Sequence, residues 1–137
     1  MIRTVATLAA GIGLGALGLT AARDDGEHVA VVADWDIAER LGGKDMRASA
    51  VVVTIEPGRA GVAHRHPGPG LGYVLEGEYE WAIDDQPART LKAGDSFYEP
   101  TGCLHRVSRN PGGVKTRLLA WVVRPRDVKD VAIPERK

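Results

Sequence analysis

Residues 58–77 read GRAGVAHRHPGPGLGYVLEG. His64 and His66 stand one residue apart, ahead of Pro67-Gly68-Pro69-Gly70, a run that no helix tolerates. The stretch is therefore extended, and in an extended chain residues i and i+2 face the same side. Both imidazoles can point into one cavity while Arg65 points away. Neutral imidazole is the commonest metal-ligating side chain, and it suits iron, zinc, copper, nickel and manganese. A third histidine, His105, follows Pro100-Thr101-Gly102 at the start of an extended segment, Arg106-Val107-Ser108. His28 has no evident partner.

Outward from this stretch the pattern is β throughout. Ala50 to Ile55 is a β-branched run stopped by Pro57-Gly58 and reads as a buried strand. Tyr73-Val74-Leu75 is a second strand, turned at Gly77. Tyr79, Trp81 and Ile83 alternate with Glu78, Glu80 and Ala82, as in a half-buried strand. Phe97 and Tyr98 lie in a short strand before Pro100. Thr116 to Val123 is apolar on both faces and is expected at the centre of a sheet. Trp35 to Leu41 is the one segment expected as a short helix, closed by Gly42-Gly43. Pro125 to Lys137 is weakly patterned, a tail or an edge strand. Short strands with Gly/Pro turns indicate an all-β sandwich or barrel.

The chain has 137 residues, enough for one domain with a core of its own. Lys+Arg and Asp+Glu number 18 each, so no basic excess points to nucleic acid or to an anionic membrane. Cys103 is the single cysteine, which excludes an intrachain disulfide and a cysteine-rich zinc site. Histidine and carboxylate remain as metal ligands. At the N-terminus, Arg3 precedes the uncharged stretch VATLAAGIGLGALGLTAA and the charges Arg23, Asp24 and Asp25. This matches a secretory signal peptide over residues 1–22, cut near Ala22. At about 18 residues the apolar stretch also reaches spanning length, so an uncleaved anchor is the alternative. A buried helix is disfavoured by glycines 11, 13, 15 and 18. The expected location is outside the cytoplasm, periplasmic or extracellular.

Two stretches within residues 58–110 resemble the paired motifs of the cupin superfamily. The first runs glycine, His-x-His, glutamate, glycine, and Gly58, His64, His66 and Gly77 stand at its spacing. The second runs glycine, Pro-x-Gly, histidine, asparagine. Gly94, Pro100, Gly102 and His105 match it, with Asn110 one residue late and Arg109 in its place. The resemblance implies a cupin-type double-stranded β-helix, or jelly-roll barrel, over residues 23–137. It also implies one divalent metal ion (Fe, Mn, Zn, Ni or Cu, with iron preferred) held by His64, His66 and His105. The family's glutamate position is held here by Gly70, which leaves a three-histidine set, as in the superfamily's thiol and diketone-cleaving dioxygenases.

Glu99 reads as a fourth ligand, an orienting group or a solvated rim charge, and the rim is expected, because most glutamates are solvated. Tyr73, Tyr79, Trp81 and Phe97 are candidate pocket walls, with core packing expected for at least two. Cys103 reads as packing. Arg106 and Arg109 could hold a substrate carboxylate or be merely solvated. The implied function is a small-molecule metalloenzyme, of dioxygenase type. The alternatives are a non-catalytic module capturing a metal or small ligand, and a structural cupin whose metal site has decayed. The expected partner is a small organic molecule, with no nucleic acid, no membrane once the leader is removed, and room for a homodimer.

Overall fold

The computed structural model describes residues 21–23 and 26–136. The leader expected over residues 1–22 lies almost wholly outside them. In chain order the strands are β1 (Ala21–Arg23), β2 (Glu27–Leu41), β3 (Lys44–Ile55), β4 (His64–Arg65) and β5 (Gly70–Glu76). Then follow β6 (Glu78–Ile83), β7 (Arg89–Lys92), β8 (Ser96–Glu99), β9 (Leu104–Arg109), β10 (Thr116–Pro125) and β11 (Ile133–Pro134). All pairings are antiparallel, and no helix occurs among the described residues. A six-stranded sheet in the order β1-β2-β3-β10-β5-β8 faces a five-stranded sheet in the order β11-β4-β9-β6-β7.

The β-branched run of β3 and the apolar β10 lie side by side, with Val51 opposite Ala120 and Val53 opposite Leu118. β10 has β3 on one side and β5 on the other, the central place its composition requires. The inward faces of both sheets meet in a core of Ile55, Val74, Tyr79, Trp81, Phe97 and Leu118, all at 9% exposure or less. Each such aliphatic side chain contributes roughly 1.5–3 kcal/mol by leaving water. Gly72 on β5 is part of this packing, because a Cβ there would run into the Phe97 ring.

One expectation is corrected. Trp35 to Leu41 is not a helix but the end of β2, paired with β3 from Asp34↔Ser49 to Leu41↔Lys44. Gly42 and Gly43 have φ of 57° and 75°, the two left-handed residues of a tight hairpin turn. They close a hairpin rather than cap a helix, and Arg47 on β3 pairs with Asp34 and Asp36 across it. The C-terminal segment proves to be an edge strand: β11 pairs with β4, Ile133 opposite Arg65 and Pro134 opposite His64. It is tied down by the Arg65–Glu135 ion pair at 3.1 Å.

Candidate metal centre

His64 and His105 are direct partners across β4 and β9. His66 follows where the chain passes from β4 in one sheet to β5 in the other. The alternation expected of an extended segment holds. Arg65 turns outward to Glu135 and to the Gly102 carbonyl, while both neighbouring histidines turn in. The ligand nitrogens of His64, His66 and His105 lie within 4.8 Å of one another, and His64 Nε2 is 3.2 Å from His66 Nε2. This group could hold a metal ion.

Hydrogen bonds to the far side of each ring fix which nitrogen keeps its unshared pair. His64 Nδ1 is 2.8 Å from the Val62 carbonyl and His66 Nδ1 is 2.5 Å from the Val131 carbonyl. A carbonyl only accepts, so both Nδ1 atoms donate and each neutral ring turns a bare Nε2 toward the other. Tyr79 donates its hydroxyl proton to Ser108 Oγ at 3.0 Å, so its oxygen accepts from His105 Nε2 at 3.1 Å. That leaves His105 Nδ1 bare, buried and without a hydrogen bond. An unpartnered buried acceptor beside two other inward-facing imidazoles is a donor set that suits a cation.

Glu99 is not the solvated rim charge its residue type suggested. It is 2% exposed, with Oε2 3.0 Å from His66 Nε2 and Oε1 3.1 Å from His105 Nδ1. Trp81 Nε1 donates to Oε1 at 2.8 Å. Burial opposes ionisation of Glu99, yet the bond to His66, the nearby His105 and the Trp81 donor outweigh it and hold the carboxyl below its ordinary range. Burial likewise pulls His66 down, but Glu99 and the Val131 carbonyl more than compensate, and its pKa is raised. His105 is pushed down to about 4, chiefly by burial, with Glu99 opposing.

The four side chains sit in the wall of a cavity of about 260 Å³ that is otherwise mostly apolar, with Val51, Val53, Phe97, Leu118 and Val122 among its lining. That is roughly nine waters' worth of space. Glu27, on β2 and 9% exposed, also lines it. Nothing in its sequence context singled it out. Asp130, Val131 and Ala132 cover one side, so the C-terminal segment both closes the cavity and orients His66.

The remaining candidates lie elsewhere. Tyr79 and Phe97 line the cavity and Trp81 supports it from the core, whereas Tyr73 is 46% exposed. Arg106 points away, donating to the Asp84 and Gln86 carbonyls, and Arg109 pairs with Glu80. Neither guanidinium reaches the cavity. Cys103 is packed in the core, and burial first, then the Glu99 and Asp84 charges, push its thiol up to about 11. It is a packing residue, as expected. His28 is exposed on β2.

An antiparallel double-sheet barrel with an inward histidine cluster defines a class of small β-barrel proteins with a ligand cavity. A family model described as Cupin domain matches residues 51–122, more than half of the chain, and the chain belongs to that family. No curated protein sequence matched it. Among solved structures, it is similar to an uncharacterized conserved protein with a double-stranded β-helix domain from Klebsiella pneumoniae subsp. pneumoniae MGH 78578. There the identity is 21%, the TM-score 0.61, and 85% of this chain and 91% of that one are covered. Recombinant oxalate oxidase in complex with glycolate aligns at 25% identity and TM-score 0.57, covering 79% of this chain and 55% of that one. DMSP lyase DddQ from Ruegeria pomeroyi DSS-3 aligns at 26% identity and TM-score 0.55, covering 66% of this chain and 45% of that one. The chain thus spans less than half of the length of that lyase.

A pH dependence follows from the bare nitrogens. Protons compete with a metal for the same unshared pairs, so affinity should fall as pH drops below about 7. His66, raised above its ordinary 6.5, takes a proton before His105, which at about 4 keeps its pair through this range. Competition against a coloured chelator between about pH 5.5 and 8 measures this. A pH-independent affinity would place the ion away from these rings.

Proposed function

We propose that this chain is a metal-dependent enzyme acting on a small, largely apolar organic molecule, exported by its N-terminal leader. The observation that carries this reading is the convergence of three imidazoles, one of them with a buried, unpartnered Nδ1, in the wall of an apolar cavity. A purely structural core has little use for this arrangement, because the buried, unpartnered His105 Nδ1 costs roughly 1–3 kcal/mol. His64, His66 and His105 would hold one divalent ion, with iron or manganese favoured. A bound ion supplies Lewis acidity and, with iron or manganese, redox chemistry with oxygen. The chain's own residues do the rest. Val51, Val53, Phe97 and Leu118 exclude water and select an apolar body of limited size. Val62, Val131 and Tyr79 hold the three rings in the tautomers that leave ligand pairs inward.

The likeness to an oxalate oxidase and to a DMSP lyase supports chemistry on a small molecule. Oxygen chemistry is the reaction class proposed, because a redox-capable ion held by three neutral imidazoles would supply it, whereas the other carboxylates of the lining, Glu27 and Asp130, are not among the clustered groups. The test is oxygen uptake by protein reconstituted with iron, manganese or zinc, over a panel of small organic acids, thiols and diketones. Uptake with iron or manganese and none with zinc is expected. Stoichiometric metal with no turnover on any compound would favour a binding module instead.

A further inference from the structure

Gly70 stands where the family's first motif has its carboxylate, and in the structure its direct partner across β5 and β8 is Glu99. Directly paired residues of an antiparallel ladder project to the same face, with Cβ atoms about 4.5–5.5 Å apart. We propose that Glu99 is the carboxylate ligand of this centre, supplied from β8 into the space that Gly70 leaves open on β5. The inference rests on the metal-binding reading above and specifies its ligand set.

Three observations carry it. The first is occupancy. A Cβ built on Gly70 would lie 3.4 Å from Glu99 Oε2, 3.5 Å from Glu99 Cβ and 3.6 Å from His66 Cδ2. A Cβ there is thus in ordinary van der Waals contact, and a longer side chain at position 70 would extend into the place of the Glu99 carboxylate and the His66 ring. Glycine at 70 and glutamate at 99 form one arrangement, not a loss.

The second is spacing. Ligands about 2.1 Å from one ion and at right angles to each other lie about 3.0 Å apart. Glu99 Oε2 to His66 Nε2 is 3.0 Å, Glu99 Oε1 to His105 Nδ1 is 3.1 Å, and His64 Nε2 to His66 Nε2 is 3.2 Å. The carboxylate contacts belong to the same set of edges as the histidine contact.

The third is proton accounting. His66 Nδ1–H donates its hydrogen bond to the Val131 carbonyl, so neither His66 Nε2 nor Glu99 Oε2 brings a donor to their contact. One added proton can serve that contact, but it leaves His105 Nδ1 buried and unpartnered. A single cation serves both. Trp81, donating to Oε1, orients the carboxylate from behind, as outer partners of metal ligands do.

The test is titration of the metal-free full chain with cobalt(II), reading affinity and the visible ligand-field spectrum, for wild type and four variants. Glu99→Gln keeps the shape and an oxygen for Trp81 but removes the charge. It should bind cobalt at least about 10–100-fold more weakly, the range lost even with outer-shell partners, and with a shifted spectrum. Gly70→Glu alone should also weaken binding, since two carboxylates then compete for one place. Gly70→Glu combined with Glu99→Gly returns the carboxylate to β5 and should restore most of the affinity, which a merely structural Glu99 would not allow. His64→Ala serves as the control. If Glu99→Gln binds cobalt with wild-type affinity and spectrum while His64→Ala does not, the Glu99 assignment is wrong and the histidine site stands. If the wild type binds no cobalt, both readings fall.

Discussion

Replacing His64 or His105 by alanine should reduce metal binding by more than the roughly 100-fold that loss of an outer-shell partner causes, to a level lost on desalting. Each substitution removes one of three imidazoles whose nitrogens lie within 4.8 Å of one another. The two positions are expected to differ in stability. His105 is 4% exposed and bonded to Tyr79, so its truncation also leaves the Tyr79 hydroxyl without that donor. His64 is only half-buried on β4, and its truncation should cost less fold stability. Metal content after desalting, with a thermal melt beside it, separates the effects. Two variants that keep a full equivalent of metal would move the site elsewhere.

Asn110→Ala should be the most damaging single change away from the histidines. Asn110 is fully buried, donates to the Ile55 and Val114 carbonyls at 2.9 and 2.8 Å, and accepts from the Gly112 N–H at 2.9 Å. One amide thereby ties the end of β9 to the end of β3 and to the loop leading into β10. Alanine leaves the buried Ile55 carbonyl short of this donor and loosens the part-buried Val114 and Gly112 groups of the loop. At roughly 1–3 kcal/mol for the one buried unsatisfied group, with smaller losses at the two part-buried ones, a loss of about 3 kcal/mol is expected. For a domain of this size that lowers the melting temperature by about 10 °C. Metal stoichiometry in the folded fraction should be unchanged, because Asn110 touches none of the clustered side chains. A melt within about 1 °C of wild type would contradict this role.

Much of this molecule is legible in the sequence because the relevant physics is local. The β-branched run before Pro57-Gly58 has no stable alternative to a strand, and β10 is apolar on both faces because sheet neighbours flank it on both sides. The motif glycines Gly58, Gly77, Gly94 and Gly102 all have positive φ, between 71° and 99°. Their spacing marks turns that other residues adopt only with strain. Asn110 falls one residue away from the family spacing and still makes the structural bonds expected of a motif end.

What was misread depended on partners far along the chain. Trp35 to Leu41 is closed by Gly42-Gly43 as a short helix would be, but its Asp36 answers Arg47 and its Arg40 answers Asp45 across a hairpin, and only the pairing with β3 reveals it. Residue type alone makes Glu99 a rim charge, and strand parity overrides it. In Ser96-Phe97-Tyr98-Glu99 the alternation that buries Phe97 must also turn Glu99 inward, and the burial follows that alternation. The signal was present. That Glu99 faces Gly70 was not readable, since it rests on the register between two strands. The cover supplied by Val131 was also hidden, because the weak pattern after Pro125 gives no hint that its edge strand pairs with β4 beside His66.

The central claim is that these buried bases bind one divalent ion, and metal content tests it most directly. The purified chain, exposed to iron(II), manganese(II) or zinc(II) near neutral pH and then desalted, should retain about one ion per chain by elemental analysis, as a single convergent ligand set requires. Retention of none of these ions by a folded protein would contradict the account and leave the cluster as a buried polar network.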